Sequence, residues 1–155
     1  MIERLATLSW DLCAVAESLR LTQDEAVDYF TDGRRVSFIV ERRICRETGG
    51  RLAASEGAGF DLYDRHNRKW EVRSITKKIY FCPSYMVGKG RFFDEAGFLR
   101  KLDEVEGYIL SDVMQFPNIP VWKVSQGVVR AWYMRGELGA KTSVSRARIL
   151  DLLGP

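Results

Sequence analysis

This chain has little of what most metal and redox sites are made from. Its 155 residues include one histidine and three cysteines. Cys13, Cys45 and Cys82 are scattered, form no CxxC pair and have only His66 as a possible companion, which argues against a zinc site. An odd number of cysteines with no signal peptide is the pattern of a reducing cytoplasm, and a cytoplasmic protein is expected. No apolar run approaches the eighteen or so residues of a membrane span, so no membrane partner is expected. The GxxxxGK[ST] order of a P-loop is missing. Repeats, linkers and low-complexity segments are missing as well.

What is present is an ordinary globular composition, 46% hydrophobic and 29% charged, in a length that suits one domain with a real core. The net charge of +3 is small, but it is unevenly spread. Residues 30–100 hold 15 Lys or Arg against 9 Asp or Glu, a local balance of +6. Residues 1–29 hold 2 against 6, a balance of −4. A basic middle favours a polyanionic partner, although charge alone fits a solvated face equally well.

Apolar residues at Leu5, Leu8, Leu12, Val15, Ala16 and Leu19 predict a helix over residues 3–19. The capping box Thr22-Gln23-Asp24-Glu25 starts a second short helix that runs to about Phe30. Two short helices and a tight turn permit a helix-turn-helix reading, but an acidic segment makes a poor DNA reader, so packing or a dimer contact is preferred. Val36, Ile39, Val40 and Ile44 give helical spacing over Arg34 to Thr48, stopped by Gly49-Gly50. Arg42, Arg43 and Arg46 lie off that apolar stripe and are free to face phosphate.

The most informative stretch is Gly59 to Ser74. Two short runs, residues 59–64 and Lys69 to about Thr76, read as a hairpin around a turn at Arg65-His66-Asn67-Arg68, with strand continuing through residues 79–81. Each run carries a carboxylate, Asp61 and Glu71, and strand alternation puts Arg73 on the same side as Glu71. Two carboxylates beside one cation can hold a divalent metal and stabilise charge on a phosphate. Asp64 has the wrong parity to join Asp61 and reads as a turn acid. His66 sits at the turn tip and reads as exposed. Cys82 to Asp94 is a loop with Gly88 and Gly90, the cations Lys89 and Arg91, and several aromatics. Glycines let backbone approach a ligand closely, and the cations suit phosphates. A helix over residues 94–104, strands over 107–113 and 119–124, and helices near 126–134 and 145–153 complete the pattern. Trp10, Trp70, Trp122 and Trp132 read as packing residues.

The order helix, strand with Asp61, strand with Glu71-Val72-Arg73, helix, strand, helix resembles the PD-(D/E)XK nuclease superfamily, which includes many restriction endonucleases. The resemblance covers roughly Arg34 to Trp132. Phe60 stands where the family's Pro would be, and Arg73 stands in place of its Lys. Arg cannot lose its proton, so Arg73 suits holding a phosphate rather than acting as a base. Lys77 or Lys78 could supply an ammonium, Lys77 having the better parity with Arg73.

The resemblance implies an α/β (α+β) fold: a restriction-endonuclease-like core over residues 34–135 with a central mixed β-sheet flanked by helices. A helical extension over residues 1–32 and a C-terminal helix over 136–155 would complete one nuclease-like domain. It also implies a Mg2+-dependent DNA endonuclease, with Mn2+ able to substitute, acting on double-stranded DNA as a homodimer, with a restriction role favoured over repair or element mobility. Asp61, Glu71 and the Val72 carbonyl would be metal ligands. Glu41, preferred slightly over Glu47, would be the third acid, and Arg73 would complete the catalytic set. Lys77, Lys89, Arg91 and Arg42 would contact DNA. The alternatives are a non-catalytic or partner-dependent DNA-binding or nicking subunit of the same fold, and a structural protein whose acids form surface ion pairs.

Overall fold

The computed structural model describes residues 1–55 and 58–154. Its elements run β1 (Ile2–Ser9), α1 (Leu12–Leu19), α2 (Gln23–Phe30), α3 (Gly33–Thr48), β2 (Arg51–Leu52), β3 (Leu62–Tyr63), β4 (Lys69–Ile75), β5 (Lys78–Tyr80), α4 (Glu95–Glu104), β6 (Gly107–Asp112), β7 (Asn118–Ser125), α5 (Gln126–Met134), β8 (Ser143–Ser145) and α6 (Arg146–Leu153).

The helix expected over residues 3–19 is only half there. Residues Ile2–Ser9 form β1, antiparallel to β7, and the helix is confined to α1. A bulge between Arg4 and Ala6 inserts Leu5 as an extra residue. The inserted residue shifts strand parity, so Leu5 and Leu8 reach the same core, and their spacing of three imitates a helix. The N-terminal segment is therefore a strand of the main sheet followed by helices, not a wholly helical extension. Asp11 caps α1 by accepting the Ala14 N–H at 3.0 Å. The capping box of Thr22 and Glu25 starts α2 as the spacing predicts.

The fold is mixed α/β. Six strands lie in the order β1-β7-β6-β4-β3-β2, with β4 and β6 parallel and the other pairs antiparallel. Side chains alternate across this sheet and fill two cores. Ile109, Ile119, Val121, Trp70 and Val72 meet the α1–α3 side with Val36, Val40 and Ile44. Tyr108, Leu110, Trp122, Val124 and Ile75 meet α4–α6 on the other side with Phe98, Leu102 and Ile149. Trp70, Trp122 and Trp132 are buried in these cores and Trp10 packs against one of them, as their reading as packing residues requires. Gly107 begins β6 where a Cβ would collide with the Val124 carbonyl, so the strand crossing demands glycine.

Two strand boundaries differ from expectation. The first arm of the hairpin is short, because Gly59 at φ +79° breaks the extended run. Asp61 still joins the ladder through its backbone, donating to the Trp70 carbonyl at 3.0 Å. The second arm does not run on through residues 79–81. The chain bends at Thr76 and Lys77, and β5 leaves the sheet to pair antiparallel with β8. Among the described residues no helix is long and apolar enough to cross a membrane.

Candidate active site

The hairpin brings the two predicted carboxylates to one place. Val72 donates its backbone N–H to Asp61 Oδ2 at 2.7 Å, so Asp61 lies across from the residue that follows Glu71. Glu71 is 6% exposed and sits between two cations. Arg73 Nη2 lies 2.6 Å from its Oε1, and Lys101 Nζ lies 2.6 Å from its Oε2. The second contact is an ion pair without hydrogen-bond alignment: the ammonium is aligned on the Gly59 carbonyl, and Oε2 receives no directed donor.

Glu41 completes the cluster from α3, where its half-buried side chain lines the same cleft as Asp61, Val72 and Arg73. Burial pushes its carboxyl up to about 7; the charges of Asp61 and Glu71 add to the rise, and Arg42 and Arg73 oppose it. Burial likewise raises Asp61, helped by the charge of Glu71 and opposed by the Val72 N–H, Arg73 and Lys101. Three carboxylates thus feel one another in a partly desolvated pocket. Glu47, the competing third acid, is exposed on α3 and paired with Arg43 at 3.5 Å.

The cleft has a volume of about 1410 Å3. Arg34, Lys77, Lys78, Lys89 and Arg91 line it together with Asp28, Asp32, Glu41 and Asp61, so three of the four predicted DNA contacts line the cleft. Arg42, the fourth, is not among the residues that line it; its guanidinium lies 3.3 Å from the Phe38 ring centre. Arg43 is occupied by Trp10 and Glu47 and is not free for phosphate.

Other predicted residues have structural roles. Asp64 is the turn acid: Oδ1 accepts the N–H groups of His66 (2.8 Å) and Arg68 (3.1 Å), and Oδ2 accepts Arg68 Nε (2.8 Å) and Trp70 Nε1 (3.1 Å). Burial works to raise its pKa, but these donors outweigh it and hold the group down at about 2. His66 is exposed at the hairpin tip, away from the acids. α1 and α2 pack into the core through Leu12, Val15, Val27 and Phe30, and Phe30 stacks on Phe116 at 4.5 Å.

Sequence reading missed Lys101. It stands three residues after Phe98 and one before Leu102, both fully buried, so it falls on the inward stripe of α4. A lysine on an inward stripe needs a buried partner, and that was the available signal.

The donor set around Glu71 suits a hard divalent cation. Asp61, Glu71 and the Val72 carbonyl offer oxygen only, and Asp61 Oδ1 takes no hydrogen bond from a described residue. Arg73 Nη1 reaches the Val72 carbonyl only at 3.4 Å. Among the described residues no three His, Cys, Asp or Glu side chains are arranged to hold a metal as they stand. Both Glu71 oxygens lie 2.6 Å from cations, so a Mg2+ ion held by Asp61 and Glu71 together would have to displace Arg73 or Lys101 from one of them.

No family model matches the chain, and no curated protein matches it.

Proposed function

We propose that the protein is a Mg2+-dependent endonuclease that hydrolyses phosphodiester bonds in DNA, on a restriction-endonuclease-like core formed by α3, β3, β4, α4, β6 and α5. The observation that carries this reading is the meeting of Glu41, Asp61 and Arg73 in a cleft that Arg34, Lys77, Lys78, Lys89 and Arg91 also line, with Glu71 paired to both Arg73 and Lys101. Acids alone would repel a phosphate, and cations alone would bind it without cutting. Together they can do both.

Asp61, Glu71 and the Val72 carbonyl would hold the metal, which when bound supplies Lewis-acid charge and an acidified water. Arg73 and Lys101 fix the Glu71 carboxylate from both sides and present positive charge where a phosphate gains negative charge. A guanidinium makes a poor base, so Arg73 holds charge and moves no proton. Glu41, with its carboxyl near 7, is poised to take a proton from an attacking water. Lys77, Lys89 and Arg91 hold flanking phosphates and set the strand's register. Each chain carries one Asp61–Glu71 pair and so cuts one strand. A homodimer would cut both strands of a duplex, as a restriction enzyme does.

The test is cleavage of mixed plasmid and phage DNA with Mg2+, Mn2+ or EDTA by the protein and by Asp61→Asn. Metal-dependent cutting that is lost in Asp61→Asn, with the fold and DNA affinity retained, is expected. Equal cutting by both proteins would overturn the assignment.

One observation favours a second reading. Both oxygens of Glu71 already face cations, as in a charge-neutral structural core. A DNA-binding subunit without chemistry would retard DNA equally in EDTA and in Mg2+, and cut it in neither.

A further inference from the structure

We infer that Lys141 is a positioning residue: from behind the cleft wall it fixes the turn that carries Lys89 and Arg91, and so sets the grip on the DNA backbone. The inference rests on the nuclease reading and adds the device that presents its phosphate contacts.

Six residues of the loop that follows β5 line the cleft: Cys82, Ser84, Val87, Gly88, Lys89 and Arg91. The tip of the loop is a tight turn, Gly88-Lys89-Gly90-Arg91, in which the Arg91 N–H donates to the Gly88 carbonyl at 3.4 Å. Gly88 and Gly90 stand at φ +119° and +76°, which suits glycine and few other residues. The same two glycines give a free turn many shapes. Untied, it would carry Lys89 through a range of positions, and a bound phosphate would have to order it.

Lys141 removes that freedom. Its Nζ donates to the Gly88 carbonyl at 3.1 Å and to the Arg91 carbonyl at 2.5 Å, so one ammonium ties both ends of the turn. Thr142, 1% exposed, holds the start of the loop. Its carbonyl accepts the Phe81 N–H at 3.3 Å, and its hydroxyl accepts the Cys82 N–H at 2.8 Å and donates to the Lys141 carbonyl at 2.7 Å. The clip is anchored in turn. The Gly139 N–H donates to the Ser143 carbonyl at 2.9 Å, and Ser143 opens β8, which pairs with β5 just before the loop.

The backbone is strained where the clip is made. Lys141 and Thr142 stand at φ 53° and 54°, left-handed conformations that cost free energy at non-glycine residues. Glycine would relax both positions, but it carries neither the ammonium nor the hydroxyl. Lys141 is not among the residues that line the cleft; its ammonium is turned to the carbonyls of the loop. It therefore acts on DNA through Lys89 and Arg91 and not by contact.

Two measurements test this. The first is amide hydrogen exchange on the free protein, as wild type, Lys141→Ala and Lys141→Gly. The bonded amides of Val87 and Arg91 should exchange about tenfold faster or more in both variants, with β4 and β6 unchanged. Lys141→Gly relaxes the backbone as it removes the tie, so its Tm should stay within about 3 °C of wild type. Unchanged exchange in the loop, or faster exchange throughout the sheet, overturns the inference. The second is fluorescence anisotropy on a labelled duplex in Ca2+. Lys141→Gly should weaken binding about 5-fold in the wild-type background, and no further in a Lys89→Ala/Arg91→Ala background. The same loss in both backgrounds would make Lys141 a direct phosphate contact and overturn the positioning role. A wild type that binds no duplex would sink the nuclease reading alone, because the exchange of Val87 and Arg91 still decides whether Lys141 sets the turn.

Discussion

Replacing Glu41 by Gln should make the metal-free protein more stable, and only above a certain pH. The carboxyl is displaced from an ordinary 4.5 to about 7, first by burial and then by the charges of Asp61 and Glu71. The folded state therefore holds that proton more tightly than the unfolded chain does. Stability from this group is complete below pH 4.5 and is lost as pH rises through about 7. A displacement of this size corresponds to about 3 kcal/mol between the two protonation states. Glu41 is only half-buried, and solvent screening about halves that figure, to about 1.5 kcal/mol. Gln keeps the shape without the charge, so Glu41→Gln should raise Tm at pH 8 by about 3 to 6 °C for a chain of this length. Thermal unfolding in EDTA followed by circular dichroism from pH 4 to 8 reads the effect. The gain should vanish near pH 4.5 and grow to full size by pH 8. With Mg2+ at pH 8 the order should narrow or reverse, because bound cation stabilises the wild type more. A Gln variant as stable as wild type at every pH, or less stable at pH 8, would refute the clustering of acids on which the site depends.

Lys101→Met leaves a buried carboxylate oxygen without its counter-ion, and should cost about 3 kcal/mol in denaturant unfolding and at least about 100-fold in metal-dependent cleavage. Asp64→Ala leaves two backbone donors and an indole N–H without their acceptor and should lower stability by about 3 kcal/mol at pH 7. Because the Asp64 carboxyl is held down at about 2, the wild-type advantage should persist above pH 3.8 and fade as pH drops through 2; a constant difference across acid pH would contradict this. Lys77→Ala and Lys89→Ala should each lower the slope of log affinity against log salt by about 1, and an unchanged slope would place that lysine off the DNA path.

Much of the site was legible because it lies in one short stretch. Asp61, Glu71 and Arg73 share a hairpin, where strand alternation and a turn suffice to say which side chains meet. α3 was legible from its apolar stripe, and that stripe is what turns Glu41 toward the cleft. Asp64 could be set aside by parity alone, and the structure gives it the turn role that parity implies. The first strand was not legible. A bulge at Leu5 gave residues of β1 a helical interval, and only pairing with β7, more than a hundred residues later, supplies the backbone partners that make it a strand.

The sequence by itself determined a mixed α/β chain, the carboxylate hairpin, and a basic middle segment, since each follows from local spacing or composition. Tertiary structure decided which ammonium serves Glu71. Lys77 and Lys78 are nearer in sequence, but the chain bends after Ile75 and carries them to the cleft wall, while α4 folds back over the sheet and delivers Lys101. Tertiary structure also decided that residues 141–142 fix the loop of residues 82–91, a contact made by pairing β5 with β8. Both depend on elements distant in the chain meeting across a core, and no local periodicity encodes which distant elements will meet.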